Sequence, residues 1–239
     1  MKTKCNALDI DYQIGKLDNL NIDNNLFGVI TSYPNNYGTI DLNRELFNDL
    51  NNYDIPLITH NDLMSLLILE PPGNLGANIS VGSTQCFGLP LWFGGPHSSF
   101  ISCDKKYTRF LPGRIVGKTI DRNNNKCFRL ALQTREQHIR KEKALSNICT
   151  SQALLANVSA MYAIYHGKEN LVKIAEDIYF KTLTLKNIFE EIGLDVLNDT
   201  CYNTITINVN NNNIFDDLKK NGYYLRKIDN KKISITLNE

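Results

Sequence analysis

The sequence predicts an α/β protein, with a largely parallel sheet in a first, larger part and a small α+β unit behind it. Three observations carry this. Short apolar, β-branched runs recur between helical or loop connections up to about residue 134. Two helix-period stretches then follow between Ser151 and Gly193. From Thr204 the pattern returns to short strands flanking one short helix. Strands that alternate with helical or loop connections favour parallel pairing.

Residues 1–25 are polar and read as irregular. "LFGVITSYP" (26–34) is a buried strand stopped at Pro34, because proline has no amide hydrogen to continue a ladder. A short helix around "LNRELFNDL" follows, with Asp41 as its expected N-cap. "IPLITH" (55–60), "ANISVG" (77–82) and "SSFISC" (98–103) are the next strands, and "KCFRLALQT" (126–134) a fifth. "SQALLANVSAMYAIYHG" (151–167) is small and apolar nearly all round, which predicts a buried helix with Gly167 as its stop. The next helix places Leu171, Ile174, Ile178, Leu185, Ile188 and Ile192 on one stripe and ends at Gly193. "TITINV" (204–209) is a strand and "IFDDLKKNG" a helix. "YYLRKI" and "KISITL" then pair as a hairpin around Asp229 and Asn230. The expected division is an irregular segment 1–25, a large α/β domain 26–167 and a small α+β domain 168–239. The large domain begins abruptly, with few elements to cover its strands, so it reads as incomplete at its N-terminus or completed by a partner.

Composition narrows the function classes. The 26 basic residues nearly balance 25 acidic ones, for a net charge of +1, which argues against a dedicated nucleic-acid or membrane-surface binder. No apolar run approaches the roughly 18 residues of a membrane span. The start "MKTKCNALDIDYQIGKLDNL" lacks a signal-peptide core. The mixed run "TREQHIRKEK" (134–143) suits a solvated helix face, with recognition of an anionic group as the sharper alternative. Six cysteines lie far apart without a C-x-x-C pair, which reads as reduced thiols. Sequons at Asn78, Asn157 and Asn198 are chance in so asparagine-rich a chain. No G-x-G-x-x-G, Walker loop, H-E-x-x-H or G-x-S-x-G occurs, and the four histidines share no metal-ligand spacing, so no metal is expected.

The stretch "GSTQCFGLPLWFGGPHSSF" (82–100) has the texture of a loop that brings backbone close to a phosphate or planar cofactor, yet it contains no lysine. Together with "ILEPPGNLGANISV", "LPGRIVGKTID" and above all "LQTREQHIRKEKALSNICTSQALLAN", it strongly resembles the P-protein family of the glycine cleavage system, specifically the N-terminal half, from about Phe27 onward. That resemblance implies the fold of the aspartate aminotransferase-like pyridoxal-phosphate enzymes. It also implies glycine as substrate, with decarboxylation on pyridoxal phosphate and transfer of the aminomethyl group to the lipoyl arm of the H-protein.

In the family, only the C-terminal half or second subunit carries the lysine that binds the cofactor. Aligned through Pro90 and Pro96, that lysine position falls at Gln85 here, and the acid expected under the ring nitrogen falls near Thr59. An amide forms no Schiff base, and threonine holds no pyridinium charge. Lys105, Lys106 and Lys118 follow the loop and read as surface charge rather than substitutes. No catalytic residue is therefore assigned. The cofactor is expected on a lysine-bearing partner half, to which Gly94, Gly95, Pro96, His97, Arg114, Thr134, Arg135 and His138 are candidate contributors. Arginine suits a carboxylate or phosphate because its planar fork donates two bonds at once. The resemblance implies the cytoplasm for a bacterial host and the mitochondrial matrix for a eukaryotic one. The competing reading is a non-catalytic remnant or scaffold that binds only a partner. An independent pyridoxal-phosphate enzyme is disfavoured by Gln85 and Thr59.

Overall fold

In the computed structural model, described for residues 1–23, 25–41, 43–111, 115–132, 152–209 and 214–239, the chain opens on a short helix, Lys2–Ala7 (α1). The first 25 residues are thus not wholly irregular. Leu17, Leu20 and Ile22 pack onto the main core and order the segment around a short 3-10 turn at Leu17–Asn19.

Val29–Tyr33 (β1), Leu57–Asn61 (β2) and Ile79–Ser83 (β3) pair parallel, with Val29 opposite Leu57 and Ile58 opposite Ile79. Ser99–Cys103 (β4) adds an antiparallel edge to β3, giving the order β1-β2-β3-β4. One face carries Val29, Tyr33 and Leu57 against Phe47 and Leu50 of Arg44–Asn52 (α2). The helix is capped by Asn43, whose Oδ1 accepts from the Leu46 amide at 3.0 Å, and not by Asp41. A short polar side chain caps only where it reaches the N2 or N3 amide, and Asn43 stands directly before the first turn. The opposite face is only partly covered, with Ile30 50% and Ile101 42% exposed.

The described part of "KCFRLALQT" forms a strand, but outside that sheet. Lys126–Leu132 (β6) pairs antiparallel with Ile115–Ile120 (β5), a strand absent from the sequence reading, to make a separate two-stranded ribbon. Val116 lies opposite Leu130 and Lys118 opposite Phe128, so Val116, Ile120, Phe128 and Leu130 share one face, and all four are exposed.

Ala153–Glu191 (α3) is two helical stretches meeting at Gly167, whose φ of 65° and ψ of 173° leave helical geometry. The stretch expected to be buried is not. Only Leu155 and Ser159 are buried there, whereas Leu154, Met161, Ile164 and Tyr165 stand out from the surface. Beyond Gly167 the buried set is Leu171, Ala175, Ile178 and Thr182, while Ile188 and Ile192 at the end of the expected stripe are exposed. Gly193, at φ 80°, ends the helix as read.

The small unit is an antiparallel sheet in the order β7-β8-β10-β9, formed by Asp195–Val196 (β7), Thr204–Asn208 (β8), Arg226–Lys227 (β9) and Lys232–Thr236 (β10), with helix Ile214–Lys220 (α4). Ile205, Ile207, Val209 and Ile233 form its core against Leu185 and Phe189 of α3 and Phe215 and Leu218 of α4. The hairpin around Asp229 and Asn230 forms as β9–β10.

The loop after β1 fastens this unit to the sheet. The Tyr37 carbonyl accepts from Asn198 Nδ2 at 2.9 Å and Thr206 Oγ1 at 2.8 Å, and Thr39 bridges Cys201. Gly38 permits the approach: a Cβ there would lie 2.2 Å from the Thr204 carbonyl oxygen, and its φ is 89°.

Candidate functional site

Parallel strands deliver their connecting loops to one edge, so the C-terminal ends of β1, β2 and β3 define where a ligand site can form. A cavity of about 310 Å³ lies there. Ser32, Pro34 and Asn35 come from the end of β1, His60 to Leu63 from β2, and Ser83, Gln85 and Cys86 from β3. The small unit closes the other side with Asn203, Thr204, Arg226 and Thr236.

Local chemistry fixes each wall. Gly82 allows β3 to pass close by, since a Cβ would meet the Asn61 carbonyl oxygen at 2.3 Å and the Phe100 ring at 2.5 Å. Asp62 turns the chain after β2: its Oδ1 accepts from the Met64 amide at 2.8 Å and the Ser65 amide at 3.1 Å, while Oδ2 accepts from Asn203 Nδ2 at 3.0 Å. That carboxylate is satisfied within the protein. Asn61, 2% exposed, donates from Nδ2 to the Thr59 carbonyl at 3.0 Å and to Thr59 Oγ1 at 3.1 Å. Its Oδ1 has no hydrogen-bond partner. Arg226 is held by one residue, donating from one terminal nitrogen to the Asn36 carbonyl and from the other to Asn36 Oδ1, both at 2.8 Å. Burial, reinforced by the nearby Asp62 charge, pushes the Cys86 thiol up to about 12, so it is a neutral group and not a nucleophile near neutral pH. Burial first, then Asp62 and Cys86, raises the Tyr202 phenol as well.

The sequence-predicted residues divide. Gln85 stands in the wall, with Nε2 donating to the Leu89 carbonyl at 2.6 Å. Thr59 does not line the cavity. It is 2% exposed within the sheet, its Oγ1 3.0 Å from Ser80 Oγ. Gly94, Gly95, Pro96 and His97 are not among the residues that line this cavity; His97 is half-buried and its Nε2 unpartnered. Arg114, Thr134, Arg135 and His138 lie outside the described residues, as does the whole run 134–143. Lys106 is paired with Asp54 at 2.7 Å, and Lys118 stands on β5.

No lysine is among the described residues that line the cavity. A pyridoxal-phosphate aldimine requires a primary amine at this wall. Gln85 supplies an amide already committed to Leu89, so these residues do not fit covalent attachment of that cofactor. Residues that sequence reasoning missed are Arg226, Asn36, Asn61, Asp62 and Asn203. The signal was present for two of them, because Asn61 and Asp62 follow directly on the strand run "IPLITH" and polar residues at a strand's C-terminal end mark a crevice. Arg226 carried no such mark inside "YYLRKI". Among the described residues no group of three His, Cys, Asp or Glu is placed to hold a metal ion, and no helix is long and apolar enough to cross a membrane.

Comparison with known proteins agrees with this architecture. A family model described as "Glycine cleavage system P-protein" matches residues 1–239. Glycine dehydrogenase (decarboxylating), mitochondrial, of Dictyostelium discoideum is 40% identical over 241 residues, covering 100% of this chain and 24% of the relative. Glycine dehydrogenase (decarboxylating) 2 of Pseudomonas putida is 42% identical over 209 residues, covering 87% and 22% respectively. The chain thus spans about a quarter of the length of these curated relatives. Among solved structures, an inhibitor-bound glycine decarboxylase (P-protein) superposes with a TM-score of 0.79 at 31% identity, over 88% of this chain and 50% of that one. Aspartate aminotransferase of Thermus thermophilus, 12% identical with a TM-score of 0.56 over 88% of this chain and 58% of that one, shares the fold alone. The fold is accordingly the aspartate aminotransferase-like one that the sequence implies. With its residues 1–239 matched by the family model, the chain belongs to the P-protein family of the glycine cleavage system.

Proposed function

We propose that this chain is a non-catalytic part of glycine dehydrogenase (decarboxylating), acting with a lysine-bearing partner half that holds pyridoxal phosphate. The observation that carries the reading is the cavity at the strand ends, whose wall has Gln85 and no lysine among the described residues. Membership of the family supplies the reaction: glycine as substrate, decarboxylation on the partner's cofactor, and delivery of the aminomethyl group to the lipoyl H-protein.

Exposed apolar faces support the need for a partner. Val116, Ile120, Phe128 and Leu130 on the ribbon, Met161 and Tyr165 on α3, and Trp92 and Phe93 at a loop tip are more than scattered surface residues. Trp92 and Phe93 even sit at positive φ (36° and 55°), a costly geometry for bulky side chains. In this reading the turn Gly94-Gly95-Pro96-His97, with Arg114, Thr134, Arg135 and His138, contributes to the partner's pocket. The chain divides into a segment 1–25, a large domain 26–167 and a small domain 168–239. The compartment follows the host: cytoplasm in a bacterium, mitochondrial matrix in a eukaryote. Neither nucleic acid nor membrane is a partner.

The test is an absorbance scan with pyridoxal phosphate before and after borohydride reduction, on the chain alone and then with a lysine-bearing P-protein half. The expected result is no reducible band on the chain alone, and glycine-dependent CO2 exchange with the partner that exceeds the partner's own. A band on the chain alone overturns the non-catalytic assignment. No gain with the partner overturns the enzymatic role and leaves a scaffold.

A further inference from the structure

We infer that the open edge of the ribbon, along β5, is a docking site for an extended protein segment that adds a third strand and carries an acidic residue between two apolar ones. The first observation is an incomplete sheet. Apart from their pairing with each other, the backbone groups of β5 and β6 hydrogen-bond to no other described residue. A two-stranded ribbon is marginal on its own in water, and a third strand over an apolar face is what stabilises one. Of the two edges, that of β6 is interrupted. Ile115 lies opposite Leu132 and Val116 opposite Leu130, which leaves Ala131 unopposed in a bulge. A bulge twists an edge away and ends pairing, so β5 offers the continuous edge.

The second observation is the difference between the faces. Val116, Ile120, Phe128 and Leu130 are exposed on one side, whereas Gly117, Thr119 and Cys127 on the other are half-buried. The apolar side is thus the one presented outward. The third observation is charge. Lys118 lies opposite Phe128 and Lys126 opposite Ile120, so both ammonium groups stand on that apolar face. Neither strand contains Asp or Glu, and neither lysine makes an ion pair among the described residues. Along β5 the face reads Val116, Lys118, Ile120, so a strand laid beside it is matched by apolar, acidic and apolar side chains at alternate positions. The same lysine rejects a second copy of this chain: two β5 edges paired together would bring their Lys118 charges onto one face, and like charges there repel.

This deepens the reading that the chain acts with a partner, yet the two fail separately, because the probe is a peptide and the readout is not CO2 exchange. The probe is a blocked seven-residue peptide with valine, glutamate and valine at alternate positions, threonine elsewhere and a neutral fluorophore. Its anisotropy is followed on titration with the 239-residue chain. It is expected to bind at least about five-fold tighter than the same peptide with lysine in place of glutamate, and less tightly as salt rises. Lys118→Glu should reverse the order of the two peptides, which a merely structural role for Lys118 would not do. Val116→Thr with Ile120→Thr keeps β-branched side chains on the strand and should weaken binding about ten-fold. All three positions are exposed, so the variants should fold, as circular dichroism melting checks. Amide exchange should slow on peptide addition, and more along Ile115–Ile120 than along Lys126–Leu132. No binding, equal affinity for the two peptides, an order unchanged by Lys118→Glu, or stronger protection along β6 each overturns the proposal. So does self-association of the chain in sedimentation, or binding to phosphatidylglycerol vesicles, that the Val116→Thr/Ile120→Thr variant abolishes, since a second copy or a lipid surface would then be the occupant.

Discussion

Of the two stretches of α3 on either side of Gly167, the first is the denser in apolar residues, yet it is the one that stays exposed. Residues 168–191 bury Leu171, Ala175, Ile178 and Thr182 in steps of four, three and four, and Ala175 and Ile178 of that stripe pack with Met64 and Tyr202. Residues 153–166 bury only Leu155 and Ser159, and there Ser159 joins a hydroxyl network with Thr84 and Ser98 rather than an apolar core. Met161, Ile164 and Tyr165 face outward. Apolar composition therefore states a need for burial, but only a neighbouring element decides whether this chain meets that need. The second stretch is stabilised within the chain, and the first leaves its apolar face exposed.

That contrast breaks most visibly at Ile178. Truncation by Ile178→Ala should cost about 2–5 kcal/mol of unfolding free energy, because the side chain is 4% exposed and the cluster around it has no means of collapsing fully. Urea denaturation followed by far-UV circular dichroism gives the number, and a cost under about 1 kcal/mol would mean that the second stretch is no better packed than the first.

A smaller loss is expected at the loop that fastens the small unit to the sheet. Gly38→Ala places a Cβ 2.2 Å from a backbone carbonyl and at a φ of 89°, and either the loop or β8 must move. Roughly 1–3 kcal/mol is the scale of such strain, read from the same denaturation curve. The Arg226–Asn36 pairing next door should loosen with it.

The first stretch predicts the reverse signature. Met161→Ser with Tyr165→Ser should leave the chain's own stability within about 0.5 kcal/mol, as for other exposed positions. The same double variant should weaken association with a lysine-bearing P-protein half by about ten-fold or more, as truncating an apolar anchor at the centre of an interface does. Analytical ultracentrifugation of the mixture separates the two effects, and a variant that loses stability while associating normally would place these side chains in this chain's own core.

What was legible in the sequence follows the same division. Strands β1 to β4 were readable because apolar, β-branched runs bounded by proline, glycine and asparagine are a local signal. Gly167 and Gly193 marked the helix breaks because no other residue takes their backbone angles at so little cost. Gln85, singled out by comparison of motifs as the position of the family's lysine, stands in the cavity wall. The ribbon was misassigned because pairing is non-local: "KCFRLALQT" reads as a strand wherever it pairs, and nothing within it says that Ile115–Ile120 is its partner. Arg226 and Asn36, 190 positions apart, meet only through the tertiary fold, so no spacing in the chain announces them.

The smallest effect concerns Cys86, which, like Phe87, Tyr162 and Tyr179, packs against the cluster of Met64, Ala175, Ile178 and Tyr202. Its thiol is raised from an ordinary 9.0 to about 12, mainly by burial and then by Asp62. The folded state therefore holds its proton more tightly than the unfolded chain does. This contribution is fully present below pH 9 and is lost as pH rises toward 12, at no more than about 1.4 kcal/mol per pH unit. Tyr162 and Tyr202, whose phenols are also raised, add a loss of the same sign at the alkaline end, so Cys86→Ser should flatten only the lower part of the slope, just above pH 9. At about pH 8.5 the same shift predicts that iodoacetamide labels Cys86 at least about ten-fold more slowly in the folded chain than in urea, since only the thiolate reacts. Peptide mass mapping follows that one residue among the six cysteines. Slow labelling that persists in Met161→Ser/Tyr165→Ser but is lost in Ile178→Ala would assign the seal over Cys86 to the second stretch of α3. Slow labelling lost in both would mean that the first stretch, despite its exposed face, also closes the floor of the cavity.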